Sequence, residues 1–317
     1  MRAALIEIAF DPVLHLGDLD IRWQTVGLTI TLLIALGLAA RIGSYLPPRV
    51  PIVAGPQYPD APAVGSSASA TELPTAQRLR LDDLAYIVLG IVPGAVVGGR
   101  VVHAIIFWDA YAADPSRLLD AGVGTLSLLG AVLGGALTGG YVAGLAAMSV
   151  RRWADALALP LLLALGLGKL AQLLGGSGQG AAFDGGWAVA FIGAGPWHGL
   201  SPELAAHPSQ IYEGLWMLTG IPLLLRLVGS GPDLWRALPA RLAPRRATPP
   251  TAGLLFLTAL AWFLAGRVVV GFTWRDAVVA GPLNGEQAVA LAILCGVLVG
   301  LAVRGARSGT REVARTG

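Results

Sequence analysis

The sequence predicts an all-α integral membrane protein of seven transmembrane helices, with its N-terminus outside and its C-terminus in the cytoplasm. Three observations carry that prediction: composition, the spacing of apolar runs, and the placement of arginine. Of 317 residues, 55% are hydrophobic and 13% charged, and the mean hydropathy is +0.68. A soluble domain carries about 25% charged residues, so the apolar excess needs a bilayer to cover it. Runs long enough to cross one fall at about 24–41, 84–107, 121–149, 155–178, 208–228, 252–272 and 286–304. Fifteen arginines, from Arg41 to Arg315, follow spans one, three, five and seven, whereas only Arg2, Arg22, Arg117 and Arg275 occupy the other side. Positive charge collects on cytoplasmic segments, which sets the orientation.

Element by element, residues 1–23 read as an interfacial segment, because Glu7, Asp11, Asp18 and Asp20 interrupt any signal-peptide core. Residues 24–46 hold the first transmembrane helix. Residues 47–80, rich in Pro, Ala and Ser, read as a flexible cytoplasmic linker. Residues 81–305 form a six-helix membrane core, and 306–317 a basic cytoplasmic tail. Within the core, the outer loop 179–206 carries Trp187 and Trp197 but no Lys or Arg, which suits the outer leaflet surface. The small residues of GAVLGGALTGG in span three favour close helix packing. The glycines between 175 and 180 end span four, where backbone amides could line a polar cavity. Cys295 lies in an apolar run and can form no internal disulfide.

Three basic residues fall inside the spans: Arg100, Lys169 and Arg267. Each costs about 2.5–3.5 kcal/mol at a helix centre. Glu213 is the one clearly intramembrane acid, since Asp155 and Glu286 sit at helix ends, so three cations face one anion. An anionic ligand such as a phosphate would balance them, and arginine binds phosphate oxygens bidentately. The competing explanation is snorkelling to the interface or pairing with backbone carbonyls. His103 shares a helix face with Arg100 and is a proton acceptor or an interhelical hydrogen-bonding group. In HPSQIYEG at 207–214, His207, Gln210 and Glu213 form one polar stripe, with Glu213 roughly 9 Å below His207. Lys169 and Gln172 share a face of span four.

HPSQIYEG resembles the HPxQLYE motif of the bacterial prolipoprotein diacylglyceryl transferases. The likeness runs from about residue 17 to about 305, excluding the linker. It includes IRW at 21–23, the GxR that ends at Arg100, the FW-x-x-Y-x-x-DP stretch to Pro115, Arg267 in GRVVVGFTWRD, and LNGEQ at the start of the last helix. The family's S-F-H-G-G stands here as Ser127, Leu128, Leu129, Gly130 and Ala131, with leucine in place of histidine. Its G-R-x-G-N becomes Gly168, Lys169, Leu170, Ala171 and Gln172; a first-span tyrosine becomes Gln24, and an acidic residue after Arg267 becomes Gly271.

The resemblance implies transfer of the diacylglyceryl group of phosphatidylglycerol to the lipobox cysteine thiol of a prolipoprotein, with release of glycerol phosphate, in the bacterial cytoplasmic membrane. It implies catalytic roles for His103, His207, Lys169 and Arg267, and substrate-binding roles for Arg100, Gln172, Gln210, Tyr212 and Glu213. The base is His103 or His207, or a thiolate formed electrostatically without one. A homologue that binds anionic phospholipid or lipoprotein precursors without transfer is the alternative reading. Membrane lipids are expected partners. Nucleic acid is not, because topology accounts for the arginines. Four scattered histidines and one cysteine offer no metal or cofactor ligand set.

Overall fold

The computed structural model describes residues 6–45, 81–119, 126–146, 148–199, 201–228 and 252–316. The expected linker 47–80 and the basic loop 229–250 lie outside the described residues. Long apolar stretches free of interior strand signals form helices α1 (Trp23–Tyr45), α2 (Leu81–Ile106), α4 (Leu128–Leu145), α5 (Val150–Gln172), α6 (Ser209–Val228), α7 (Leu254–Gly271) and α8 (Gly285–Thr316), with the short α3 (Trp108–Ala112) between α2 and α4. Each of the seven runs expected to be helical overlaps one of the long helices. Six of them are long and apolar enough to cross a membrane. Helix α6 falls short of that measure because Gln210, Glu213 and Arg226 dilute its apolar run.

The outer faces of these helices are themselves apolar. Leu89 is 68% exposed, Leu137 75% and Val299 62%. Water would penalise such a surface, whereas hydrocarbon does not, so the chain is a multi-pass membrane protein. Helix α5 is the hub, packing against α1, α6 and α7, while α2 pairs with α4 and α7 with α8. Leu162, Met217, Phe263 and Leu264 are fully buried where α5, α6 and α7 meet.

Helix ends differ from expectation by several residues at more than one span, α5 for example running from Val150 to Gln172. The third span begins at Leu128 instead of 121, because the Ser127 side chain accepts from the Gly130 amide and caps the helix there. The segment after span two folds into α3 and a 3₁₀ turn at Pro115–Leu118, started by Asp114, whose carboxylate accepts from the Ser116 amide. The tail 306–317, expected beyond the last span, continues α8 as helix through Thr316.

The N-terminal segment is stranded. Strand β1 (Ile6–Ile8) pairs in parallel with β4 (Val189–Phe191) from the loop after α5, and β2 (Val13–Leu16) and β3 (Leu19–Arg22) form a hairpin. Gly17, at φ 63°, supplies the left-handed conformation its two-residue turn needs. Strands β5 (Val278–Ala280) and β6 (Leu283–Asn284) make a second hairpin before α8. The Ala181 amide donates to the Thr273 carbonyl at 2.8 Å and the Arg275 amide to Gln179 at 3.1 Å. The N-terminus and the loops after α5 and α7 therefore form one cap over one end of the bundle. In that cap Arg22 contacts His198, and burial, then the Arg22 charge, holds the His198 imidazole below its ordinary range.

The small residues of the third span serve close packing, as expected. A Cβ on Gly98 of α2 would lie 2.8 Å from the Gly134 Cα of α4, so the two backbones touch. Gly98→Leu should therefore destabilise the protein by about 1–3 kcal/mol through overpacking. Thermal unfolding in detergent checks this, with Gly37→Leu, where nothing lies within 4 Å, as the silent comparison.

Candidate functional site

Four helices contribute one charged side chain each to a network just beneath the cap. Lys169 comes from the last turn of α5, Glu213 from the second turn of α6, Arg267 from α7 and Glu286 from the first turn of α8. Lys169 Nζ lies 3.0 Å from Glu213 Oε2, and Arg267 Nη1 donates to Glu213 Oε1 at 2.7 Å. Arg267 Nη2 pairs with Glu286, and Ser127 Oγ donates to Glu286 Oε1 at 2.6 Å. The Lys169 ammonium also sits 4.9 Å from the Trp274 ring centroid, a cation–π arrangement. Lys169, Glu213 and Arg267 are all buried.

This geometry corrects the expected charge balance. Glu286 reaches inward from its helix end, so Lys169 and Arg267 face two carboxylates and not one. The Arg267 fork is divided between them, and its buried Nε has no hydrogen-bond partner among the described residues. The two carboxylates are not equivalent. The Glu213 side chain is wholly buried, while that of Glu286 is 16% exposed, so Glu286 is the more accessible of the two.

The backbone next to Arg100 meets the start of α4, where the Ser127 amide donates to the Gly99 carbonyl at 3.0 Å. One turn on, the His103 ring lies 2.9 Å, Nδ1 to Oη, from Tyr111 of α3 and packs on Phe107. Asp276 lies within electrostatic reach of both His103 and Lys169, which ties the two groups to one neighbourhood. Arg100 and His103 are both half-buried.

Other expected site residues hold the cap. Gln210 spends its amide donors on the carbonyls of Ser177 (2.9 Å) and Gly178 (2.7 Å). The glycine-rich turn thus offers carbonyls to Gln210, and Gly176 and Gly178 take positive φ there. His207 stacks on Phe183 with centroids 4.0 Å apart, and its Nδ1 is buried without a partner among the described residues. Tyr212 accepts from Trp187 Nε1 at 2.5 Å. Gln172 is half-buried, and its side chain makes no hydrogen bond among the described residues.

Two devices set the register of the network. Trp216 Nε1 donates to the Trp262 carbonyl at 2.9 Å, and Trp262 Nε1 donates to the Trp216 carbonyl at 2.7 Å. The stacked indoles clasp α6 to α7 close to Glu213 and Arg267. At the start of α8, Asn284 and Gln287 cap each other reciprocally, each amide donating to the other's side chain at 2.8 Å. Gln287 Nε2 reaches on to the Val268 carbonyl of α7 at 2.8 Å and so fixes Glu286 against Arg267. Sequence reasoning missed Glu286, Trp274, Asp276 and Tyr111. The capping pattern in NGEQ, read with the surplus of buried cations, was the signal for Glu286.

A model of the prolipoprotein diacylglyceryl transferases matches residues 63–303. The chain belongs to that family. A phosphatidylglycerol–prolipoprotein diacylglyceryl transferase of Trichormus variabilis is 27% identical over 296 residues, covering 92% of this chain and 87% of the relative. Those of Geobacter sulfurreducens and Bacillus cereus are 31% and 26% identical over 66% and 70% of this chain, covering 73% and 77% of their own lengths. The chain is thus a transferase of the diacylglyceryl transferase family. Its Leu129, where the resemblance sets histidine, is fully buried in the core.

Removing Glu213 would leave two cations with one carboxylate in an apolar interior. Glu213→Gln should cost about 3–5 kcal/mol, and adding Lys169→Met should restore much of it by returning the network to one cation and one anion. A double-mutant cycle on thermal stability in detergent measures that coupling. Additive losses would show that Lys169 and Glu213 do not act as a pair.

Proposed function

We propose that this transferase moves the diacylglyceryl group of phosphatidylglycerol onto the lipobox cysteine thiol of a prolipoprotein, within the bacterial cytoplasmic membrane. The thiolate sulfur forms a bond to the glyceryl carbon, the bond from that carbon to the phosphate oxygen breaks, and glycerol phosphate leaves with the electron pair. The thiol proton passes to a base or to water. The observation that carries this reading is the Arg267 guanidinium held between Glu213 and Glu286, in an apolar bundle and beneath a polar cap.

In this reading a phosphate enters beside Arg100 and competes with Glu286 for Arg267. The guanidinium then stabilises the charge that grows on the leaving phosphate. Lys169 stays with Glu213 and contributes positive potential, which also lowers the pKa of an approaching thiol from about 8.5. This reading takes seven spans with the N-terminus outside, and on that topology the network lies in the outer leaflet, where a secreted precursor arrives. His103 shares its helix face with Arg100 and is the base we favour over His207, whose ring is committed to Phe183.

The fully buried Leu129 supports a second reading, in which the chain binds anionic phospholipid or lipoprotein precursors without transfer. Mass spectrometry of a lipobox peptide, incubated with the protein in phosphatidylglycerol vesicles, separates the two. A diacylglyceryl thioether on cysteine with equimolar glycerol phosphate is the expected result. Binding of the lipid with no thioether would establish the second reading.

In the same assay His103→Ala should slow transfer by about 10²–10⁴-fold, the range of a general base. His207→Ala should act more weakly, through the cap. Undiminished transfer by the double variant would eliminate both histidines as bases.

A further inference from the structure

The other end of the bundle carries a second cationic feature. Arg151 opens α5 and Lys169 lies eighteen residues further along it, a rise of about 27 Å. Arg304 and Glu286 are equally far apart on α8. Arg151 and Arg304 therefore lie a hydrocarbon thickness away from the network beneath the cap. Both approach the start of α7: a Cβ on Gly253 would lie 3.6 Å from Arg151 Cγ and 3.4 Å from Arg304 Nη1.

Two apolar grooves converge on this pair. A half-open cleft of about 330 Å³ runs between α2, α4, α5 and α7, lined by Ile91, Ala136, Gly140, Leu157, Leu161 and Phe256 together with Arg151 and Arg304. A more open groove runs along α8 past Ile293, Gly296, Val297 and Gly300, and shares Leu257 and Arg304 with the first. Trp153 also lines the cleft; it is 3% exposed, and its indole N–H has no acceptor among the described residues. Arg151 is exposed and has no ion-pair partner among the described residues. Asp155, the nearby carboxylate, accepts from the Gly253 and Phe256 amides at 2.6 and 3.0 Å and also lies within the field of Arg304, whose Nη2 donates to the Ala252 carbonyl at 3.3 Å, so one acid faces two arginines here.

We propose that these paired grooves bind one anionic phospholipid, distinct from the lipid consumed beneath the cap. Its phosphate sits at Arg151 and Arg304, one acyl chain fills the half-open cleft and the other lies along α8. Trp153 donates to a glycerol ester carbonyl. Two chains leaving one headgroup match two grooves leaving one cationic mouth, and basic sites between helices at the cytoplasmic face select anionic headgroups. A detergent-like single chain or a free phosphate would use only part of this arrangement.

Photo-crosslinking tests the site on the full chain in vesicles that contain phosphatidylglycerol or phosphatidylcholine with a diazirine in one acyl chain. Labelled positions are located by mass spectrometry. Phosphatidylglycerol should label residues 132–161 and 293–300 about tenfold more than phosphatidylcholine does. Arg151→Gln with Arg304→Gln should remove that excess and leave labelling near Glu213 unchanged, and Trp153→Phe should reduce it a few-fold. Ala136→Leu with Gly140→Leu should clear label from the cleft and spare the groove along α8. Equal labelling by the two lipids, or an excess that survives the arginine substitutions, would overturn the proposal. Arg151→Gln alone changes an exposed side chain and reads the same excess if the double variant does not fold.

Discussion

Two cations buried among apolar helices are costly unless side chains neutralise them, because an apolar surround solvates charge poorly. Lys169 and Arg267 meet that constraint through Glu213 and Glu286, and the four residues come from four different helices. Much of the fold around them serves to hold this arrangement. The Trp216 and Trp262 clasp sets α6 against α7, and the Asn284 and Gln287 box sets α8 against α7. Ser127 caps α4 and also donates to Glu286, so a fifth helix is tied to the same charges.

The cap follows from the same demand. Helices that end within an apolar medium leave carbonyls and amides that need partners. Gln210 satisfies the carbonyls after α5, and Ser209 Oγ donates to the Thr273 carbonyl after α7 at 2.7 Å. Strand β1 closes over the loop by pairing with β4. The polar stripe of HPSQIYEG is thus divided in use: its outer part fastens the cap, and Glu213 reaches the charge network.

The pairing of α2 with α4 follows a different rule. Glycines at the contact let backbones approach where lipid gives no hydrophobic gain for association. The small residues that permit the contact at Gly98 and Gly134 also thin α4 on its other side, where Gly140 and Ala136 leave room for the cleft. One stripe of small residues therefore builds both a tight helix pair and a cavity.

The periodicity and apolar length of the chain were sufficient to determine the helices, and HPSQIYEG with Arg100 and Arg267 was sufficient to indicate the family. Both are local properties: a run of about 20 apolar residues needs a membrane whatever its neighbours are, and a motif is read without knowing its partners. Charge pairing is not local. Glu286 lies nineteen positions beyond Arg267, at a helix end where acids normally face water, and only the packing of α7 on α8 turns it inward. The strands of the N-terminal segment escaped notice for the same reason, since β1 finds its hydrogen bonds in a loop more than 180 residues away. Helix existence was decided by sequence and solvent; which cations are neutralised, and by which carboxylates, was decided by tertiary packing, because an ion pair depends on distance in space and not on separation along the chain.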